Sequence, residues 1–240
     1  MQEEDGLGSS AEDWAPQRAP FGARYRLLLV DLPGHWRSAH PRGRLTVEGM
    51  AERVAMLLAE LGEPAVHVVG LSLGACVGLV LALRAPERVR SLTLVNAFAR
   101  LEPPDAAGTL RMALRLVLLA TAPMTSVAAI VARGLFPKPA QADLYRAAVA
   151  SLSRTSRRVY LESIAALAAF DARPQLGQIV QPTLVVVGER DRTIARAATE
   201  ALARGIPGAR FELVSDSGHA THYDQADAFN RLALEFLATG

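Results

Sequence analysis

Two rhythms of apolar residues run along this chain. Short unbroken apolar runs alternate with longer stretches in which apolar positions recur every three or four residues. The run Tyr25 to Asp31 predicts a short buried strand ending in a carboxylate, and Ala65 to Gly70 and Arg90 to Asn96 predict a second and a third strand. Between the first two, Thr46 can cap a helix from Val47 to about Leu61. Met50, Val54, Leu57, Leu58 and Leu61 share one face of it, and Gly62 closes it. Leu73 to Leu83 is apolar nearly all round, which predicts a helix covered on both sides.

From about Phe98 to Gln178 the strand pattern stops. This region is rich in Ala, Leu and Arg and predicts helices over 103–121, 124–134, 139–152 and 156–170, with Pro137, Pro139 and Pro174 as breaks. The alternation then resumes: a strand from Thr183 to Gly188, a helix from Ile194 to Arg204, a strand from Arg210 to Val214 and a last helix from Gln225 to Leu237. Such alternation predicts an α/β fold, a mostly parallel β-sheet with helices on both faces. Residues 1-97 and 179-240 form the core in this reading, and 98-178 an inserted all-helical cap. Ligands bind beyond the carboxyl ends of parallel strands, so functional residues should follow the strands directly.

Composition narrows the function classes. With 240 residues, 50% of them hydrophobic, the chain can bury a core without staples. A single cysteine, Cys76, excludes a disulfide framework or a multi-cysteine zinc site, and no metal or cofactor is expected. Aromatics at 5% argue against a base-stacking surface, and a net charge of +2 from dispersed arginines gives no case for nucleic acid or anionic membrane. The apolar stretch between Arg115 and Arg133 is shorter than the about 20 residues a membrane span needs, and Pro123 interrupts it. Met1 to Ser10 lack the basic and apolar regions of a signal peptide, so the default expectation is cytoplasmic.

Gly70-Leu71-Ser72-Leu73-Gly74 is a G-x-S-x-G placed between a strand and a buried helix. Glycines on both sides permit a sharp reversal that lifts the Ser72 hydroxyl above the sheet edge and points the helix N-terminus at the reacting oxygen. A serine needs a base, and the base needs an orienting acid. Asp191 follows the strand Thr183 to Gly188, and His219 follows the strand Arg210 to Val214. Ser, then acid, then His is the chain order of one known arrangement of this machinery. His222 is an alternative base and Glu189 an alternative acid. His67 lies inside a strand, and His35 and His40 sit in the loop after Asp31 with no paired acid in view. Asn96 follows the third strand, so no carboxylate is available there, and Cys76 reads as packing on the buried helix.

These residues resemble the α/β-hydrolase family, in particular its capped serine esterase and lactonase type. Asp31-Leu32-Pro33-Gly34-His35-Trp36-Arg37-Ser38 is similar to the family's D-x-P-G-H-G-x-S loop except at Trp36. Gly70 to Gly74 resembles the nucleophile elbow, Pro182 to Asp191 the acid strand and loop, and Ser217-Gly218-His219 with Ala228-Phe229-Asn230 the base segment. The resemblance implies the catalytic residues Ser72, Asp191 and His219 and an oxyanion hole from the backbone N–H groups of Leu73 and Leu7. Serine at the elbow separates the chain from the dehalogenase and epoxide hydrolase branches, which carry Asp there.

Two departures accompany the resemblance. Gly6-Leu7-Gly8 fits the end of the family's H-G-x-G, with Asp5 in place of its histidine. The central strand that should precede it is expected to be absent, because only Met1-Gln2-Glu3-Glu4 stands before it. That would leave a sheet edge exposed and favour a homodimer. Trp36 stands where the family favours Gly: a positive φ there would be costly, and a negative one would let the indole narrow the pocket mouth.

The expected function is a serine hydrolase of carboxylic esters, thioesters or lactones, acting on a small molecule without a cofactor. The apolar cap (Leu116, Val117, Leu118, Leu119, Val127, Ile130, Val131) suggests an apolar acyl or alkyl group, with Trp36, Leu118 and Val127 as pocket residues. The alternative is a catalytically impaired ligand-binding or interaction protein on the same fold, favoured by the altered N-terminus.

Overall fold

The computed structural model describes residues 10–102 and 106–239, together with the backbone of 2–4. Six parallel strands form one sheet: β1 (Gln2–Glu4), β2 (Leu28–Val30), β3 (Val66–Leu71), β4 (Val89–Val95), β5 (Thr183–Gly188) and β6 (Arg210–Val214), in the order β2-β1-β3-β4-β5-β6. Alternation along the strands sorts side chains into two cores. Val68, Leu92, Leu94 and Val185 face α2 (Val47–Glu60), α3 (Leu73–Arg84) and α8 (Arg196–Gly205). Val69, Val95, Leu184 and Val186 face the other layer, where Trp14, Phe21, Phe229 and Phe236 pack. Those aromatics come from the turn Ala11–Trp14, α1 (Ala15–Gly22) and α10 (Ala226–Leu237), which follows the short α9 (Thr221–Asp224), and Phe21 stacks on Phe229 at 6.3 Å.

β1 corrects the expectation of an absent central strand. Its backbone pairs in parallel with β2 (Glu3 with Leu29) and with β3 (Glu3 with Val69). The edge of β3 that would have been left open is therefore paired, and among the described residues the outer strands of the sheet are β2 and β6. Pairing on both sides satisfies backbone donors and acceptors whatever the side chains, which is how a Gln-Glu-Glu segment becomes a strand.

Between β4 and β5 lie α4 (Ala106–Thr121), α5 (Met124–Leu135), α6 (Ala142–Arg154) and α7 (Arg157–Ala169). The insertion leaves and re-enters the core at one point: Arg100 and Asp171 form an antiparallel bridge, and Ala172 N–H donates to Ala99 O at 2.8 Å. Its helices keep small cores of their own, Leu119, Val127 and Tyr160 in one and Ala128, Ala132 and Leu152 in another. No helix among the described residues is long and apolar enough to cross a membrane.

Candidate active site

Ser72 sits between β3 and α3 with φ 50° and ψ −107°, a backbone conformation L-residues rarely adopt. The sharp reversal depends on Gly70: a Cβ there would come within 2.6 Å of Ala75 N and Gly74 C. The turn is held open to the sheet top by the Ser72 N–H, which donates to Val95 O at 3.0 Å. Helix α3 begins at Leu73, so its first N–H groups have no intrahelical acceptor and point toward the space over the serine. Leu73, the expected donor, is the first residue of α3, whereas Leu7 lies outside the described residues.

Asp191 and His219 meet across two loops. His219 Nδ1 lies 2.7 Å from Asp191 Oδ2. The loops can touch because residue 188 is glycine: a Cβ on Gly188 would fall 2.1 Å from Gly218 O. Asp191 Oδ1 accepts the N–H groups of Thr193 (2.7 Å) and Ile194 (3.1 Å), which fixes the carboxylate plane. Burial pushes the Asp191 carboxyl up, but the His219 charge and hydrogen bond and the donors from Asn96 and Ile194 outweigh it, so it sits below the ordinary carboxylate range.

Asn96 is the site residue that sequence reasoning passed over. It directly follows β4, with φ 47°, and donates its amide to Asp191 Oδ2 (2.9 Å) and to Gly218 O (3.2 Å). Its own oxygen accepts from Thr221 Oγ1 at 2.7 Å. Ser217 Oγ contacts Thr221 Oγ1 (2.9 Å) and Asp224 Oδ1 (2.7 Å), and Gly218 N–H donates to Asp224 Oδ2 (2.7 Å). The chain of contacts ties three strand ends to the acid. The available signal was position alone: a polar residue directly after a buried strand, where ligand-facing residues belong.

Ser72 and His219 are both buried and both line one cavity of about 660 Å³ between the sheet top and the cap. Leu71, Phe98, Met112, Phe136, Ile164 and Leu167 supply much of its apolar wall. Two expected pocket residues do not belong to that wall. Val127 is buried in the cap's own cluster with Leu119 and Tyr160, and Leu118 packs against that cluster. Trp36 is also displaced. Its φ of 44° is the costly case, and its ring lies under the guanidinium of Arg154 (4.1 Å) rather than in the cavity wall.

The rival residues are engaged otherwise. His222 also borders the cavity but is buried beside Trp14 (4.5 Å between rings), and burial together with the His219 charge pushes it down to about 3. Glu189 turns away from the site to accept Asp216 N–H at 3.1 Å. His67 bonds to Ser91 at 2.7 Å within the sheet. His40 does have an acid partner, Glu162 of α7 at 2.8 Å, which the sequence separation concealed; the pair pins the loop after β2 to the cap. Cys76 is fully buried and its thiol is pushed up by desolvation, as suits a packing residue.

A serine on a strained elbow, with a carboxylate-bound histidine on the wall of the same cavity, is the architecture of hydrolases that pass an acyl group through a nucleophile. The chain belongs to the alpha/beta hydrolase fold family, whose model matches residues 5–226. It is 34% identical to a protein named "Putative carbamate hydrolase RutD" from Azorhizobium caulinodans, over 96% of this chain and 88% of the relative. A protein of the same name from Variovorax paradoxus is 35% identical over 97% of this chain and 89% of the relative. Among solved structures, a hydrolase from Pseudomonas aeruginosa PA01 superposes with a TM-score of 0.87 at 32% identity, covering 98% of this chain and 88% of that one. An enol-lactonase from Burkholderia xenovorans LB400 gives 0.90 at 29% identity, covering 99% and 90%. Hydrolase activity follows from these likenesses.

Proposed function

We propose that the chain is a serine hydrolase of carboxylic esters, thioesters or lactones. The observation that carries the reading is the 2.7 Å contact between His219 Nδ1 and Asp191 Oδ2 on a histidine that shares its cavity with Ser72. With Nδ1 engaged, Nε2 is the nitrogen left to act as base. It takes the Ser72 hydroxyl proton as Oγ bonds to the carbonyl carbon. The oxyanion forms over the start of α3, where the Leu73 N–H supports it. As the tetrahedral species collapses, the bond to the leaving oxygen or sulfur breaks and His219 returns the proton to it. Water then adds to the acyl-enzyme by the same route and releases the acid. The apolar wall suits an acyl or alkyl group of hydrocarbon character.

The relatives named as carbamate hydrolases favour a second reading on the same residues, with a carbamate carbonyl as the acceptor. Nitrogen donation makes that carbonyl a poorer electrophile, so the ester is the faster substrate in our account. The reading as an impaired binding protein rested on the absent central strand, and β1 removes that motive. The test is hydrolysis of p-nitrophenyl esters of two to eight carbons beside p-nitrophenyl N-methylcarbamate. Wild type should turn over the esters faster, and Ser72→Ala should lose at least about 10³-fold in kcat/KM. Unchanged ester hydrolysis in Ser72→Ala contradicts the reading.

A further inference from the structure

Asp13 lies in the turn before α1 and forms part of the wall of the cavity that holds Ser72 and His219. One of its oxygens is fully engaged. Oδ2 accepts the N–H of Ser10 at 2.9 Å and the hydroxyl of Ser151 at 3.0 Å. Ser151 belongs to α6, so the carboxyl is anchored from the core and from the cap together. Oδ1 accepts no hydrogen bond from any described residue, and no cation among them lies within ion-pair distance. The Arg154 guanidinium pairs instead with Glu12 and stacks over Trp36.

The neighbouring wall carboxylates differ in this respect. Asp216 is paired with Lys138 and Arg190, and Asp224 holds Ser217 and Gly218. Burial raises the Asp13 pKa, while the hydrogen bonds from Ser10 and Ser151 oppose that shift. A carboxyl fixed through one oxygen and unoccupied at the other is a preorganised acceptor, and a charged acceptor in a largely apolar cavity gains most from a cationic donor.

We propose that Asp13 is a specificity-determining residue whose Oδ1 accepts an N–H from an amino group on the substrate's acyl chain. The inference rests on the hydrolase reading above. It refines the substrate from plain hydrocarbon esters to ω-amino acyl esters of a length that spans from Ser72 to Asp13.

The test compares p-nitrophenyl ω-aminoalkanoates of three to six carbons with alkanoates of equal chain length, against an enzyme-free blank. At its best length, wild type should prefer the amino ester by at least about tenfold in kcat/KM. Asp13→Asn keeps the size and can keep an oxygen toward Ser10 and Ser151, but turns an N–H₂ toward the cavity. It should lose that preference, read as the ratio of kcat/KM for the amino ester to that for the alkanoate of equal length. Asp13→Glu retains an anionic acceptor and should keep part of the preference, which guards against a folding defect in the first variant. Equal rates for amino and alkyl esters in wild type, or an undiminished preference in Asp13→Asn, overturn the proposal. Failure to hydrolyse any alkanoate overturns the hydrolase reading instead, so the two failures are distinct.

Discussion

Asn96 Nδ2 donates to Asp191 Oδ2 at 2.9 Å, onto the same oxygen that meets His219 Nδ1 at 2.7 Å. One carboxylate oxygen therefore orients two partners, and the Asn96 amide helps hold it in register with the histidine. Asn96→Asp would set a second carboxyl beside Asp191, and two such groups resist joint ionisation. The acid limb of the kcat/KM profile should move upward by a pH unit or more, with KM changed less than kcat. Asn96→Ala should lower kcat by about tenfold without moving that limb. A profile in Asn96→Asp that overlays wild type would show that Asn96 does not act on the acid.

Gly70→Ala tests the elbow. The new Cβ would meet backbone at 2.6 Å on α3, and backbone has little room to yield. The expected cost is about 3 kcal/mol or more, read as a lowered denaturant midpoint. A variant as stable as wild type would mean that the turn does not approach the helix this closely.

The backbone of β1 makes a prediction of its own. Glu3→Pro removes an N–H from a strand paired on both sides and places a proline ring in mid-sheet. Thermal unfolding should fall by several degrees at least. An unchanged midpoint would show that residues 2–4 do not pair in solution.

His222 links the site to pH. Burial holds it neutral in the folded protein, with its pKa pushed down to about 3. The unfolded chain takes up that proton near an ordinary histidine value of about 6.5. Between those two values the unfolded state binds more protons, so stability falls as pH falls. From pH 7 to pH 5 this one group should cost about 2 kcal/mol. His222→Phe should show a shallower decline over that interval in denaturant titrations. His35, also pushed down by burial, contributes in the same direction in both proteins.

Much of this fold was legible in the chain because its signals are local and redundant. The runs at Val66–Leu71 and Thr183–Gly188 are wholly buried, and unbroken apolar sequence announces that directly. Ser72 and Asp191 could be named because each follows such a run, and His219 because it follows the partly buried strand Arg210–Val214. What escaped was governed by distant partners. Gln2–Glu4 carries no apolar pattern, and its strand exists through pairing with β2 and β3. Helix α1, with Pro16 and Pro20, is placed by Phe21 and Trp14 packing on α10. Leu118 and Val127 are apolar as expected, but their faces turn toward the cap's interior, and sequence cannot say which of two apolar surfaces a cap helix gives to substrate.

The central claim is that Ser72 is a nucleophile activated by His219. Its most direct measurement is covalent labelling with a fluorophosphonate, followed by mass spectrometry of the peptide that contains residue 72. Wild type should carry one adduct on Ser72, and His219→Ala should label at least about 10²-fold more slowly. An adduct elsewhere, no adduct, or equal labelling in His219→Ala would contradict the account.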